Sequence, residues 1–200
     1  GAAEYPTHYN TCYDQAKFEF CAHKWADLSE GGYGASIIND CKYGYNVHDN
    51  VMKITLMRGP IVPDPKGDLG VNTFRYSFYP HKGTWREADT VKLGFQENVK
   101  LEGEFAEANG GDSTGHSYAY IDGESVILDA LKPAQDGRGV IVRMYEAETR
   151  HCTVSASFDL DYSRVVECNL MECDETEIPC ENGTFTFSMK PHEVKTFRLI

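Results

Sequence analysis

Apolar and polar residues alternate along much of this chain, and this pattern constrains its fold more than any other feature. An alternation with a period of two residues places the apolar side chains on one face of a strand and predicts half-buried antiparallel sheets. More continuous apolar runs at 125–128 and 139–145 indicate strands that are buried on both faces. The sequence therefore predicts an all-β protein. The clearest alternating segments are 52–56, 74–78, 154–160 and 185–189.

Helical periodicity is not sustained in any window of the sequence. The only helical candidates are single turns near Trp25–Ser29 and Trp85–Ala88. Three Asx-Gly dipeptides are typical of hairpin turns, because Asn, Asp and Gly tolerate positive backbone φ angles. These dipeptides are Asp122-Gly123, Asp136-Gly137 and Asn182-Gly183.

A break in composition divides the chain near its middle. Residues 102–117 read EGEFAEANGGDSTGHS, which has little β-periodicity and a cluster of Gly, Asp, Ser and Thr. Two hundred residues suffice for two small domains that each bury a core. The predicted domains are therefore 1–104 and 105–200. The short, regularly spaced strands of the second predict a β-sandwich.

The bulk charge restricts the classes of partner. The formal net charge is -12, which favours repulsion from nucleic acid phosphates and from anionic membranes. No run of 18 or more apolar residues occurs, so we expect no membrane-spanning helix. Neither nucleic acid nor a membrane is therefore predicted as a partner. A neutral ligand such as a sugar, or a protein, suits this composition better.

The chain has seven cysteines, an odd number without the regular spacing of a disulfide framework. We interpret them as reduced thiols of a cytoplasmic protein. Cys168, Cys173 and Cys180 follow His151-Cys152 in sequence, but their spacing lacks the C-x-x-C pairs that are common in zinc sites. No metal site is therefore predicted in this chain.

A self-contained active site is not evident. The sequence lacks G-x-S-x-G, a P-loop and H-E-x-x-H. A glycosidase needs two carboxylates that face each other across a sugar, and Asp27, Glu30 and Asp40 are the candidates. The alternative for Asp27 and Glu30 is a structural role beside the turn that follows them, where such side chains often cap backbone amides. No catalytic residue is therefore assigned to this chain.

The segment from residue 39 to residue 45 has a different composition. It reads Asn-Asp-Cys-Lys-Tyr-Gly-Tyr, which alternates hydrogen-bonding and aromatic groups. Tyrosine and lysine on a loop beside a rigid sheet suit the hydroxyl groups of a sugar. An alternative is that Asp40 and Lys42 form a surface ion pair while the tyrosines close a sheet edge. The predicted substrate-binding residues are Asn39, Asp40, Lys42, Tyr43 and Tyr45.

Several contiguous motifs of this chain resemble the C-terminal half of glycoside hydrolase family 38 α-mannosidases, in particular the bacterial and cytosolic type. The first half gives the more specific match, since it contains HKWADLSE, GYG and NDCKYGY within 23–45. The second half follows a looser pattern of sandwich strands. The matching segments are 6–8, 17–30, 32–34, 39–44, 79–81, 85–86, 131–134, 136–139, 143–146 and 191–199.

The resemblance implies the fold and the function. It implies part of a large antiparallel β-supersandwich in residues 1–104, followed by a smaller C-terminal β-sandwich. The family's zinc ion and aspartate nucleophile belong to an N-terminal β/α domain that nothing in this chain resembles. The chain is then a non-catalytic β region that is inactive alone. It would scaffold that catalytic domain of the same polypeptide.

The resemblance also implies that the segment 39–45 approaches the cleft that binds mannose-containing glycans. The zinc is expected in the catalytic domain, with no cofactor in this chain. The alternative is a stand-alone carbohydrate-binding or structural β-sandwich module. A carbohydrate-binding module predicts sugar binding by the isolated chain that is lost on Tyr43→Ala or Trp25→Ala.

Overall fold

The computed structural model describes residues 1–105, 107, 115–173 and 175–200. It divides into two compact units, one formed by Glu4–Ala106 and the other by Gly1–Ala3 with Glu107–Ile200. Antiparallel strands dominate both units, which confirms the predicted all-β class. The boundary between residues 104 and 105, and the assignment of residues 1–104 to a supersandwich, stay predictions.

The first unit contains two three-stranded antiparallel sheets and, among its described residues, two short helices. The strand orders are β1-β4-β5 and β2-β3-β6. In the part of the chain that the structure describes, no helix is long and apolar enough to cross a membrane. The elements are α1 (Cys12–Ala16), β1 (Phe20–Cys21), β2 (Trp25–Glu30), β3 (Tyr33–Asn39), β4 (Gly44–His48), β5 (Val51–Ile54), β6 (Tyr76–Lys82) and α2 (Thr90–Asn98).

The helical turn predicted at Trp25–Ser29 is wrong, because this segment is strand β2. Strand β2 forms a hairpin with β3 through Gly31-Gly32, whose φ angles of 50° and 95° suit a two-residue turn. The side chains that strand β2 directs towards α2 include Trp25 and Asp27, so the buried face is partly polar. The usual contrast between apolar and polar faces is therefore weak in this strand.

Helix α2 is an element that the sequence did not predict. Its buried residues are Thr90, Val91 and Gly94, which give little apolar contrast. Gly94 lets the helix pack closely against strand β2, since a Cβ there would lie 3.1 Å from the Trp25 ring, a tight contact. The turn predicted at Trp85–Ala88 is present just before this helix, where the N–H of Ala88 donates to the Thr84 carbonyl at 3.0 Å.

The second unit is a sandwich of two antiparallel sheets. The strand orders are β13-β14-β10-β7 and β12-β11-β15-β9-β8. Its main core joins inward residues of both sheets, such as Val142, Val154, Phe185 and Phe197. The alternation at 154–160 and 185–189 therefore predicted this core. The elements are β7 (Ala119–Asp122), β8 (Val126–Pro133), β9 (Val140–Glu146), β10 (Cys152–Phe158), β11 (Val165–Cys168), β12 (Thr176–Ile178), β13 (Cys180–Glu181), β14 (Thr184–Met189) and β15 (Val194–Leu199).

Two of the three predicted hairpin turns are confirmed. Asn182-Gly183 joins β13 to β14 with positive φ at both residues, and Asp136-Gly137 lies in the loop between the paired strands β8 and β9. The hairpin predicted at Asp122-Gly123 is wrong, because β7 and β8 belong to different sheets. The chain crosses from one sheet to the other at this point.

Candidate functional site

The predicted substrate loop joins β3 to β4, and its two ends are buried. The Asn39 side-chain amide donates a hydrogen bond to the Tyr45 hydroxyl, and the Lys42 backbone N–H donates to Asn39 Oδ1 at 2.7 Å. Burial raises the pKa of Tyr45 to about 12. Asn39 and Tyr45 thus fix the two ends of the loop. Of the five predicted residues, Asp40, Lys42 and Tyr43 are the ones that reach solvent.

Asp40 is fixed by the segment that precedes β6. Its Oδ1 accepts the Arg75 backbone N–H at 3.0 Å, and its own N–H donates to the Arg75 carbonyl at 3.3 Å. The bond from the Arg75 N–H is the largest cause that lowers the pKa of Asp40, so this carboxylate stays ionised. The surface ion pair with Lys42 is therefore not observed. Asp40 Oδ2 instead lies 3.7 Å from Arg75 Nε.

The side chains of Lys42 and Tyr43, which also reach solvent, contact aromatic rings. Lys42 Nζ lies 5.2 Å from the centroid of the Phe74 ring, a cation–π contact. The Tyr43 ring lies 4.4 Å from the ring of His23, and the Tyr43 side chain is 43% exposed. The Tyr43 carbonyl also accepts the Ala22 N–H at 3.0 Å. The ammonium group and the phenol ring are thereby held at the surface without being enclosed.

An open groove of about 460 Å³ lies beside this loop. Lys42 and Tyr43 line it together with Glu19, Arg58 and Asp68. The groove thus offers hydrogen-bond donors, acceptors and an aromatic ring, the set of groups that binds a neutral polar ligand. The groove is open to solvent.

The carboxylates upstream of the loop have structural partners. The side chain of Asp27 is buried and accepts hydrogen bonds from Ser29 at 2.6 Å and from Ser36 at 2.7 Å, and its Oδ2 lies 2.7 Å from His81 Nε2. Glu30 accepts the Tyr33 hydroxyl hydrogen at 2.7 Å, across the end of the β2–β3 hairpin. These contacts favour the structural alternative for both residues.

The described residues do not provide a site for the zinc ion that the family resemblance implies. Among them, no group of three or more His, Cys, Asp and Glu side chains is arranged to hold a metal ion. The seven cysteines are all unpaired, including Cys168, Cys173 and Cys180.

Two residues that hold the loop were missed by sequence reasoning. Phe74 and Arg75 fall in the alternating segment 74–78, so they were interpreted only as strand residues. Their role depends on the register of β3 with β6, in which Asn39 lies opposite Tyr76. Nothing in the local sequence signals that pairing.

An antiparallel β-sandwich region is the class that this fold defines. Two family profiles match the chain. "Glycosyl hydrolases family 38 C-terminal domain" matches residues 1–66, and "Glycosyl hydrolases family 38 C-terminal beta sandwich domain" matches residues 125–197. The chain belongs to glycoside hydrolase family 38, and the domains that it matches are C-terminal domains of that family.

Curated relatives match the whole chain. Alpha-mannosidase G of Dictyostelium discoideum is 37% identical over 209 residues, covering 100% of this chain and 19% of the relative. Human alpha-mannosidase 2C1 is 34% identical over 205 residues, covering 100% of this chain and 20% of the relative. The chain thus spans about a fifth of the length of these relatives.

Solved structures share the fold. The crystal structure of an alpha-mannosidase from Enterococcus faecalis superposes with a TM-score of 0.69 at 15% identity. The superposition covers 98% of this chain and 23% of that one. At this identity the likeness is one of fold.

Proposed function

We propose that this chain is the C-terminal, non-catalytic β region of a retaining α-mannosidase. In the intact enzyme it would scaffold a preceding catalytic domain and lend the loop 40–43 to the cleft that binds mannose-containing glycans. One observation carries the proposal: the buried pair Asn39–Tyr45 holds both ends of a loop that presents Lys42 and Tyr43 to an open groove. A loop fixed in this way contributes contacts at a smaller entropic cost of ordering than a mobile loop.

The loop offers three kinds of contact to a sugar. The Lys42 ammonium group donates to hydroxyl oxygens, and the Asp40 carboxylate accepts from hydroxyl hydrogens. The exposed Tyr43 ring supplies an aromatic surface against which the apolar C–H groups of a sugar ring pack. Since Arg75 and Phe74 hold Asp40 and Lys42, these groups are oriented before the substrate arrives.

The chemistry of bond cleavage belongs to the catalytic domain in this proposal. The aspartate nucleophile and the zinc ion would both reside there, and this chain supplies binding contacts and support. We also propose a cytoplasmic location. The unpaired state of all seven cysteines supports a reducing compartment.

Replacing Lys42 with methionine in the intact polypeptide tests the role of the loop. We expect kcat/KM for an aryl α-mannoside to fall about 10–100-fold, the effect of losing one charge-assisted hydrogen bond. Methionine keeps most of the unbranched stem of the side chain and removes the ammonium group with its charge and its N–H donors. The matched control is Lys53→Met, since Lys53 is exposed on the neighbouring strand β5. An unchanged kcat/KM in Lys42→Met would show that Lys42 does not contact the substrate.

The alternative of a stand-alone carbohydrate-binding module is tested with the isolated chain. Mannose binding that is measurable by calorimetry and lost on Tyr43→Ala supports it. Trp25→Ala is unsuitable for this test, because Trp25 packs against Trp85 at 5.1 Å and against Gly94. Its loss would lower stability whether or not the chain binds sugar.

A further inference from the structure

Each polar group of Asn39 has a hydrogen-bond partner in the first unit. Its backbone N–H donates to the Lys24 carbonyl at 2.8 Å, and its side-chain oxygen accepts the Lys42 N–H at 2.7 Å. Its side-chain amide donates to the Tyr45 hydroxyl, and its backbone carbonyl accepts from the side-chain amide of Asn98 at 3.1 Å. Asn39 is 2% exposed, so little water is available to replace a partner that is lost.

Asn98 is the last residue of helix α2, and its side-chain amide faces two carbonyl groups. Its Nδ2 donates to the Asn39 carbonyl and, at 2.8 Å, to the Gly94 carbonyl one turn earlier in the same helix. A side-chain amide nitrogen carries two N–H groups, one for each of these acceptors. The bond to Gly94 fixes the direction of the amide, which therefore points one N–H at the end of strand β3.

A second hydrogen bond joins the same end of α2 to the loop. The Arg75 guanidinium group donates to the Glu97 carbonyl at 3.3 Å, and its Nε lies 3.7 Å from Asp40 Oδ2. The last four carbonyl groups of a helix lack partners within the helix, and a cation beside them complements the helix dipole. The last turn of α2 has no basic residue of its own. Arg75 therefore connects the helix end with the carboxylate of the loop.

Helix α2 is attached to the sheet β2-β3-β6 before its last turn. Near its first turn the Thr90 and Ser36 hydroxyl oxygens lie 3.1 Å apart, and both residues are buried. In its middle, Gly94 packs closely against the Trp25 ring. The end of the helix is therefore a fixed support for the residues that it contacts.

We propose that Asn98 is a positioning residue for the loop 40–43. By holding the Asn39 carbonyl, Asn98 fixes the residue whose side chain accepts the Lys42 N–H and thereby sets the start of the loop. Among the described residues that line the groove, Asn98 is absent, so it acts through Asn39. The inference rests on the proposed function, in which Lys42 contacts the substrate.

Hydrogen exchange of the intact polypeptide, read by mass spectrometry, tests the positioning without a substrate. Asn98→Asp keeps the shape of the side chain but replaces the donor nitrogen with an oxygen that repels the Asn39 carbonyl. We expect exchange of the Lys42 N–H to accelerate about tenfold, because its acceptor on Asn39 is released. Exchange near Ala35, which pairs with Leu28 in the β2–β3 hairpin, should stay unchanged and so exclude unfolding of the unit.

Gln96→Glu is the matched control. Gln96 is exposed on the same helix, and its replacement makes the same change from amide to carboxylate with the same added charge. The control is expected to leave the exchange rate of Lys42 unchanged. Equal rates of Lys42 exchange in Asn98→Asp and wild type would overturn the proposal.

Steady-state kinetics of the intact polypeptide gives a readout that lower stability alone would not move. A displaced loop weakens substrate binding, so KM for an aryl α-mannoside should rise about tenfold in Asn98→Asp while kcat stays within about twofold. A smaller fraction of folded enzyme would instead lower the apparent kcat at an unchanged KM. Asn98→Gln keeps both N–H donors, and its KM is expected to lie within about threefold of wild type. A wild-type KM in Asn98→Asp would contradict the positioning role.

The outcomes separate this inference from the proposed function. If Asn98→Asp accelerates Lys42 exchange but the wild-type polypeptide hydrolyses no α-mannoside, the positioning of the loop stands and the proposed function fails. If the wild type is active and Asn98→Asp changes neither the exchange nor KM, the inference fails alone. If Asn98→Asp does not fold, Asn98→Ala makes the same test without an added charge, and an unchanged Lys42 exchange rate in that variant would also overturn the inference.

Discussion

Replacing Gly139 with alanine is expected to destabilise the second unit by about 3–5 kcal/mol. Gly139 has a φ of +81°, and a Cβ there would lie 2.0 Å from the carbonyl oxygen of Leu199. That oxygen belongs to the backbone of β15, which pairs with β9 immediately beside this position. The overlap cannot be relieved by a rotamer change, so the strand pairing itself must shift.

Gly137→Ala is the matched control in the same loop. Gly137 also has a positive φ, of +76°, but no atom lies within 4 Å of the position that a Cβ would take. Only the conformational strain remains, which costs about 1 kcal/mol. Urea unfolding followed by circular dichroism measures both variants. Equal losses of unfolding free energy would show that the approach of Leu199 has no energetic consequence.

Replacing Glu146 with alanine is expected to cost about 3 kcal/mol, the loss of several hydrogen bonds to one buried carboxylate. The Glu146 side chain is 0% exposed. It accepts the backbone N–H of Glu148 at 2.8 Å and those of Thr149 and His192 at 2.9 Å each. Thr149 and His192 both have positive φ angles, so the carboxylate also stabilises two strained turns.

The contribution of Glu146 depends on pH. Burial raises the pKa of Glu146, but the backbone N–H donors together outweigh it and hold the pKa below its ordinary value. A carboxyl whose folded pKa is lowered stabilises the fold above its unfolded pKa, and this contribution is lost as the pH falls through the folded value. The difference in unfolding free energy between wild type and Glu146→Gln should therefore shrink below about pH 4.5.

Urea unfolding of both Glu146 variants from pH 7 to pH 3 measures these effects. Glu181→Ala serves as the control, because Glu181 is exposed on the short strand β13. A difference between wild type and Glu146→Gln that grows on acidification would contradict the assigned direction of the pKa. A loss in Glu146→Ala no larger than in Glu181→Ala would contradict the structural role.

Part of the second unit could be predicted from the alternation in the sequence, because some of its strands carry apolar residues on one face only. Strands β10 and β14 show this alternation directly. Strand β2 and helix α2 could not be predicted in the same way. Trp25 packs against Gly94 of the helix, and Ser36 of strand β3 links Asp27 to Thr90 by hydrogen bonds. Polar groups therefore replace part of the apolar contrast in this contact.

The candidate site was predicted as a segment, but the roles within it required the structure. The composition of residues 39–45 identified the loop between β3 and β4. Asn39 and Tyr45 have the same chemistry as ligand-binding residues, and their burial and mutual hydrogen bond distinguish them from Lys42 and Tyr43. The hydrogen bond from Arg75 to Asp40 depends on the register of β3 with β6, which no local sequence pattern predicts.

Hydrolysis of an aryl α-mannoside by the 200-residue chain and by the intact polypeptide that contains it tests the central claim most directly. We predict turnover by the intact polypeptide and none by the 200-residue chain at equal molar concentration, since the nucleophile and the metal site would lie in the preceding domain. Turnover by the 200-residue chain alone would contradict a non-catalytic role, and an inactive intact polypeptide would contradict the α-mannosidase assignment.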